Sequence, residues 1–248
     1  MEKIKRFFKE IKWYEYLFVG VCLTIFVTLS IVFKSSIITT LSAILGFLAV
    51  FFISKGNVVG QILGLLQIPF YSYISYSNSY YGEFIICLTI SLPLYALAIF
   101  SWVKNINSSS GDIKVNTKIG WREWLVVVII SLIVGVGVYF LLDYFNTYQV
   151  LLSTLSVTTS AIACYIVMRR NGYGFIFYIA NNIISMSMWI LLVINNHDLT
   201  QIITFFNYIT YFMLNVRGVF NFAKLKKQQN YELEDASFDK IMKILKEN

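Results

Sequence analysis

Trp121-Arg122-Glu123-Trp124-Leu125-Val126-Val127-Val128-Ile129-Ile130 opens an apolar run that meets no further charge until Asp143. A helix rises 1.5 Å per residue, so about 20 residues match the ~30 Å hydrocarbon core of a bilayer. Backbone amides in hydrocarbon must be satisfied within their own segment, which makes the run a spanning helix. The same heading occurs earlier as Trp13-Tyr14-Glu15-Tyr16-Leu17, again in front of an apolar run. The two W-x-E-aromatic-L headings divide the chain into halves.

Each half holds four such runs. The candidate spans are 14–33, 36–54, 57–76 and 83–103, then 122–143, 147–168, 173–195 and 199–222. Charge orients them. Lys3, Lys5, Arg6, Lys9 and Lys12 precede the first span; Lys55, then Lys104, Lys114, Lys118 and Arg122, then Arg169 and Arg170, fill the second, fourth and sixth gaps. The C-terminal end adds Arg217, Lys224, Lys226, Lys227, Lys240, Lys243 and Lys246, and the remaining gaps hold only Lys34. By the positive-inside rule both termini are expected in the cytoplasm, the number of spans is even, and the chain belongs in a bacterial inner membrane.

Composition agrees. Hydrophobic residues make up 58% and charged ones 13%, with a mean hydropathy of +0.69, against about a quarter charged in soluble domains. The net charge of +7 sits beside span ends, where it meets anionic headgroups, so nucleic acid is not an expected partner. Cys22, Cys87 and Cys164 fall in three different spans, and His197 stands alone in a loop. This predicts no disulfide framework, no metal site and no cofactor. The first span lacks a small-residue cleavage site and reads as retained.

The halves read as a duplication. Ser54-Lys55-Gly56-Asn57 follows the second span and Arg169-Arg170-Asn171-Gly172 the sixth, each a basic turn with Gly. Residues 1–104 form the first repeat, 105–120 a Ser/Asn/Gly-rich cytoplasmic linker, 121–222 the second repeat and 223–248 a cytoplasmic tail. Four spans per unit return the chain to its starting side, so the copies insert in parallel, an arrangement that places substrate between them near the midplane. In the tail, Phe238, Ile241, Met242 and Leu245 follow Ser237 at helical spacing, which predicts a short surface helix with Ser237 as its N-cap.

Chemistry is constrained by what the spans lack. Glu15, Glu83, Glu123, Asp143 and Arg217 all lie toward span ends, and the absence of mid-span charge argues against proton coupling and intramembrane hydrolysis. No phosphate-gripping Gly-rich loop is present, so the chain is expected to be no enzyme and no ATP-driven pump. The spans do carry Gln61, Gln67, Asn181, Asn182, Asn207 and Asn215, together with Tyr71, Tyr73, Tyr95, Tyr178, Tyr208 and Tyr211. Amides donate and accept, and aromatic faces attract flat or cationic rings. Such residues suit a neutral or singly cationic ring compound bearing hydroxyls. They also bond neighbouring helices, at about 0.6 kcal/mol each. At an offset of 115, Gln67 matches Asn182.

Residues 73–83, with a following helix that closes at Trp102, and the segment Tyr178-Ile179-Ala180-Asn181-Asn182, with Asn215 in the last span, resemble the PnuC vitamin transporters. The resemblance covers all but the tail. It implies an all-α membrane protein with a fold like the SWEET transporters: two parallel three-helix bundles, spans two to four and six to eight, joined by span five (3+1+3), with span one as an extra N-terminal helix. It implies a homotrimer in lipid and facilitated diffusion of nicotinamide riboside, trapped by a cytosolic kinase. Tyr178 would stack on the ring; Asn182, Gln67 and Asn215 would bond to it or its ribose, with Tyr95 and Tyr211 completing the substrate site. Tyr178 stands where the family motif has Trp, Gln67 where it has Asn, and Tyr95 near an expected Gln. Thiamine, riboflavin and deoxynucleosides are the alternative cargoes, and a non-transporting scaffold or capture subunit is the rival class.

Overall fold

A computed structural model describes residues 12–107, 112–116, 118–196 and 199–247, with side chains as far as 230 apart from 196. The basic residues at 3–9 and His197 lie outside the described residues. Among the described residues nine α-helices follow in order: α1 Trp13–Val32, α2 Ile37–Ser54, α3 Val58–Ser77, α4 Tyr81–Ile86, α5 Leu92–Lys104, α6 Trp121–Tyr144, α7 Val150–Met168, α8 Gly174–Asn196 and α9 Ile202–Glu247. Starts are set by local chemistry: the Ser36 hydroxyl accepts from Thr39 N at 3.0 Å, and Asn57 Oδ1 accepts from Val59 N at 2.8 Å, each satisfying an orphan donor.

Seven of the described segments are long and apolar enough to cross a membrane, counting α4 to α5 as one. The expected last span falls at the start of α9, where Asn207, Asn215 and Arg217 interrupt the apolar sequence. The fourth span is helical throughout, Tyr81–Lys104, but not uniformly α. A π-turn, Cys87–Ser91, separates α4 from α5, and Leu92 N–H reaches back to the Cys87 carbonyl. Pro93 explains it: proline has no N–H and its ring crowds the preceding turn, so the backbone widens. The tail also differs from expectation. Helix α9 continues unbroken to Glu247, so Ser237 lies within a helix and not at the start of one.

Helix α2 packs against α3, α1 and α9; α8 packs against α7 and α9; α6 lies along α7. The two groups meet where α2 touches α9 and where α4 and α5 touch α7. One core, around Phe26, Phe47, Tyr80 and Trp189, fills the end away from the basic residues. A second, around Ile53, Trp102, Ile113, Phe175 and Phe222, fills the basic end. Two side-chain bonds tie the halves across these cores, Tyr80 OH to Met188 O at 2.7 Å and Trp102 Nε1 to Val167 O at 3.1 Å. Helix α6 buries little but Leu142; its Val128, Ile133 and Phe140 face outward, as a lipid-facing helix should.

The two basic turns are built alike. Gly56 N donates to Ile53 O and Arg170 N to Val167 O; Asn57 N donates to Phe52 O and Asn171 N to Ile166 O. Gly56 and Arg170 both have positive φ, 73° and 61°. Asn171 Oδ1 accepts from Tyr173 N as Asn57 does from Val59. Gly60 sits on the Ala49 carbonyl and Ile53, and Gly174 on the Ala163 carbonyl and Val167. Every pair is 114 residues apart. That corrects the register read from sequence: with both helices unbroken from these glycines onward, Gln67 corresponds to Asn181, and Asn182 to Ile68. The repeated glutamates behave in parallel as well. Glu15 pairs with Lys55 at 2.8 Å and with Arg217, while Glu123 pairs with Arg169 at 2.9 Å.

Candidate functional site: a polar cavity between the helix groups

Between the two cores lies a cavity of about 120 Å³. Gln67, Tyr95, Tyr178, Asn182, Tyr211 and Asn215, drawn from four helices, all line it, beside Tyr71, Glu83, Cys87, Ser91, Cys164, Asn181 and Tyr208. Of the other polar residues singled out, Tyr73 faces outward and Asn207 acts one step behind the wall, donating to Tyr211 OH at 3.0 Å.

Two glycines shape the wall. A β-carbon at Gly46 would overlap the Tyr211 hydroxyl and the Gln67 amide, and one at Gly64 would enter the Tyr95 ring. Their absence lets these side chains turn inward. Gln67 Nε2 donates to Tyr211 OH at 3.2 Å, so the Tyr211 oxygen accepts from two amides and keeps its own proton to offer. Tyr95, Tyr178 and Cys164 lie close together on the adjoining side. The two prolines of the chain flank this site: Pro69 follows Gln67 by one turn's half, and Pro93 precedes Tyr95 by the same interval.

The neighbouring asparagines do different work. Asn181 Nδ2 donates to Ser156 O and Ser156 Oγ, both at 2.9 Å, and thereby joins α8 to α7. Asn182 is 2% exposed and its Nδ2 has no hydrogen-bond partner among the described residues. A buried unpaired donor costs about 1–3 kcal/mol; in a cavity wall it is a place for a ligand acceptor.

Glu83 revises the reading of the spans. It is 5% exposed, accepts from Tyr71 OH at 3.3 Å and from the Ser156 hydroxyl, and Tyr71 OH in turn meets Tyr208 OH at 2.6 Å. Tyr71, Ser156 and Tyr208 each stand six residues inside their helix ends, about 9 Å in depth. Glu83 heads its own short helix, yet its carboxylate lies among groups well inside the bilayer span. The expectation that no carboxylate reaches that depth is therefore wrong. Distance from a span end along one helix says little when the neighbouring helices extend past it.

The fold and this site define a polytopic membrane transporter. The chain belongs to a family described as nicotinamide mononucleotide transporters, whose pattern it matches over residues 36–224. It is similar to the nicotinamide riboside transporter PnuC of Neisseria mucosa, 26% identical over 198 residues that cover 78% of this chain and 74% of the relative. The PnuC of Haemophilus influenzae is 25% identical over 194 residues, 77% and 80% of the two chains. A crystal structure of the vitamin B3 transporter PnuC shares the fold, with a TM-score of 0.76 over 92% of this chain and 98% of that one at 24% identity.

Proposed function

We propose that this protein carries nicotinamide riboside across the bacterial cytoplasmic membrane by facilitated diffusion. The observation that carries the reading is the convergence of Gln67, Tyr95, Tyr178, Asn182, Tyr211 and Asn215 on one cavity, with the Asn182 amide unpaired. Two curated relatives are named for that riboside. Tyr178 offers a ring face, and Asn182, Gln67 and Asn215 offer donors and acceptors for an amide and ribose hydroxyls. The cavity is smaller than the ~300 Å³ at which ligand pockets begin, so loading requires the two helix groups to part, with the π-turn and Pro69 as the compliant places.

The finer architecture belongs to the same proposal. Helices α2, α3 and α4–α5 form one bundle and α7, α8 and the start of α9 the other, with α6 between them and α1 outside, for eight spans in all. Residues 1–104 and 121–222 are the repeats and 105–120 the linker. Both termini face the cytoplasm, the assembly is a homotrimer, and phosphorylation in the cytosol retains the cargo. The protein itself catalyses no reaction. Uniport stays part of the reading: the Ser156 and Tyr71 hydroxyls donate to Glu83 and offset part of the cost of keeping it ionised.

Calorimetry of purified protein against nicotinamide riboside, thiamine, riboflavin and deoxynucleosides tests the assignment. Tightest binding of the riboside is expected. Binding of another member alone would replace the cargo, and binding of none would favour the scaffold reading.

A further inference from the structure

Of the eighteen residues that line the cavity, Glu83 alone is ionisable to a charge near neutral pH, and no Lys or Arg is among them. The direction of its hydrogen bonds is fixed by its neighbours. Asn181 Nδ2 contacts the Ser156 carbonyl, which can only accept, so that atom is the amide nitrogen and not the oxygen. The same nitrogen donates to Ser156 Oγ, which leaves the Ser156 proton to point at Glu83. When the carboxylate is ionised its other oxygen accepts from Tyr71, and Tyr208 then donates to Tyr71. Two helices, α3 and α7, thus aim hydroxyl donors at one carboxylate, and α8 and α9 hold those donors in place. These donors favour the ionised form while burial opposes it. To stay ionised in a low-dielectric wall the carboxylate needs a counter-charge, because two hydroxyl donors offset only part of the desolvation.

We propose that the counter-charge is the cargo: Glu83 is the residue by which this cavity selects a monocationic heteroaromatic nucleoside over a neutral one. The inference deepens the proposed function and rests on it, since nicotinamide riboside carries a pyridinium charge. Tyr71, Tyr208, Ser156 and Asn181 are positioning residues, and the aromatic rings of Tyr178 and Tyr95 add cation–π attraction. Thiamine shares the positive charge; riboflavin and deoxynucleosides do not.

The test compares nicotinamide riboside with its 1,4-dihydro form, which has the same skeleton without the charge, on purified wild-type, Glu83→Gln and Glu83→Asp protein. Wild type is expected to prefer the cation by at least tenfold. Glu83→Gln should weaken the cation by at least tenfold and leave the dihydro form within about twofold, and Glu83→Asp should restore part of the preference. The ratio is measured within one preparation, so partial loss of folded protein cancels. Equal weakening of both forms, or no wild-type preference, overturns the inference. If wild type binds neither form, the riboside reading fails, and the panel decides Glu83 separately. Loss of thiamine binding in Glu83→Gln supports it, and a neutral cargo bound equally by both proteins overturns it.

Discussion

Asn181 and Asn182 are adjacent on one helix, yet the structure gives them opposite tasks. Asn181 spends its amide on Ser156, and Asn182 keeps its own for the cavity. Asn182→Ala and Tyr178→Ala should each weaken ligand binding about tenfold, the worth of one hydrogen bond or ring face at ~1–3 kcal/mol, while the protein inserts and purifies normally. Asn181→Ala should lower the melting temperature, by loosening α7 from α8, and weaken ligand binding less than either. Calorimetry and thermal melts on the three variants read this out; the reverse pattern would show the register of α8 to be misassigned. Gly46→Ala is a second residue-scale case. Its methyl would displace the Tyr211 hydroxyl and Gln67 amide, so binding should fall at least fivefold with little change in melting temperature. Unaltered affinity would mean that the Gln67–Tyr211 pair does not shape the site.

At the scale of elements, the duplicated glutamates are unequal. The Glu15 side chain is 5% exposed and joins two cations, whereas Glu123 and Arg169 are 25% and 39% exposed. Removing one partner of a buried pair costs about 3–5 kcal/mol, and an exposed pair contributes about 0–1 kcal/mol. Glu15→Gln should therefore depress the melting temperature by several degrees more than Glu123→Gln; similar shifts would show that Glu15 is effectively solvated. The W-x-E heading that marks the repeat was legible in the sequence, but its partner across the bundle, Arg217, was not, because it lies some two hundred positions away. The irregular places were legible in principle: Pro69 and Pro93 each stand two positions from a site residue, and a proline in an apolar segment is a pointer to a transporter site. Glu83 was hidden because depth was judged along one helix. The 115 offset failed by one because amides were matched by type, and the turns that set the true register differ in residue, Gly56 against Arg170.

For the whole molecule, seven of the expected spans and their order were readable from hydropathy, since each span must satisfy its own backbone. The cavity was readable only as a set of residue types; their convergence depends on the contacts of α2 with α9 and of α5 with α7, which no local pattern encodes. The described part of the linker is also more than a tether. Ile113 N donates to Gly56 O and Asn116 N to Arg170 O, while Gln229 holds both Val115 N and Ile113 O. It clasps both basic turns to α9, so Gln229→Ala should speed proteolytic cleavage between 105 and 120 without altering ligand affinity; unchanged cleavage would mean that the clasp adds nothing. Transport of the riboside through the cavity by this chain alone is read out by uptake of radiolabelled nicotinamide riboside into vesicles containing only this protein. Entry should be saturable, level at equal inside and outside concentrations, survive ionophores, and drop about tenfold in initial rate at subsaturating substrate with Asn182→Ala. Entry no faster than in protein-free vesicles, or accumulation that collapses with an ionophore, would contradict it.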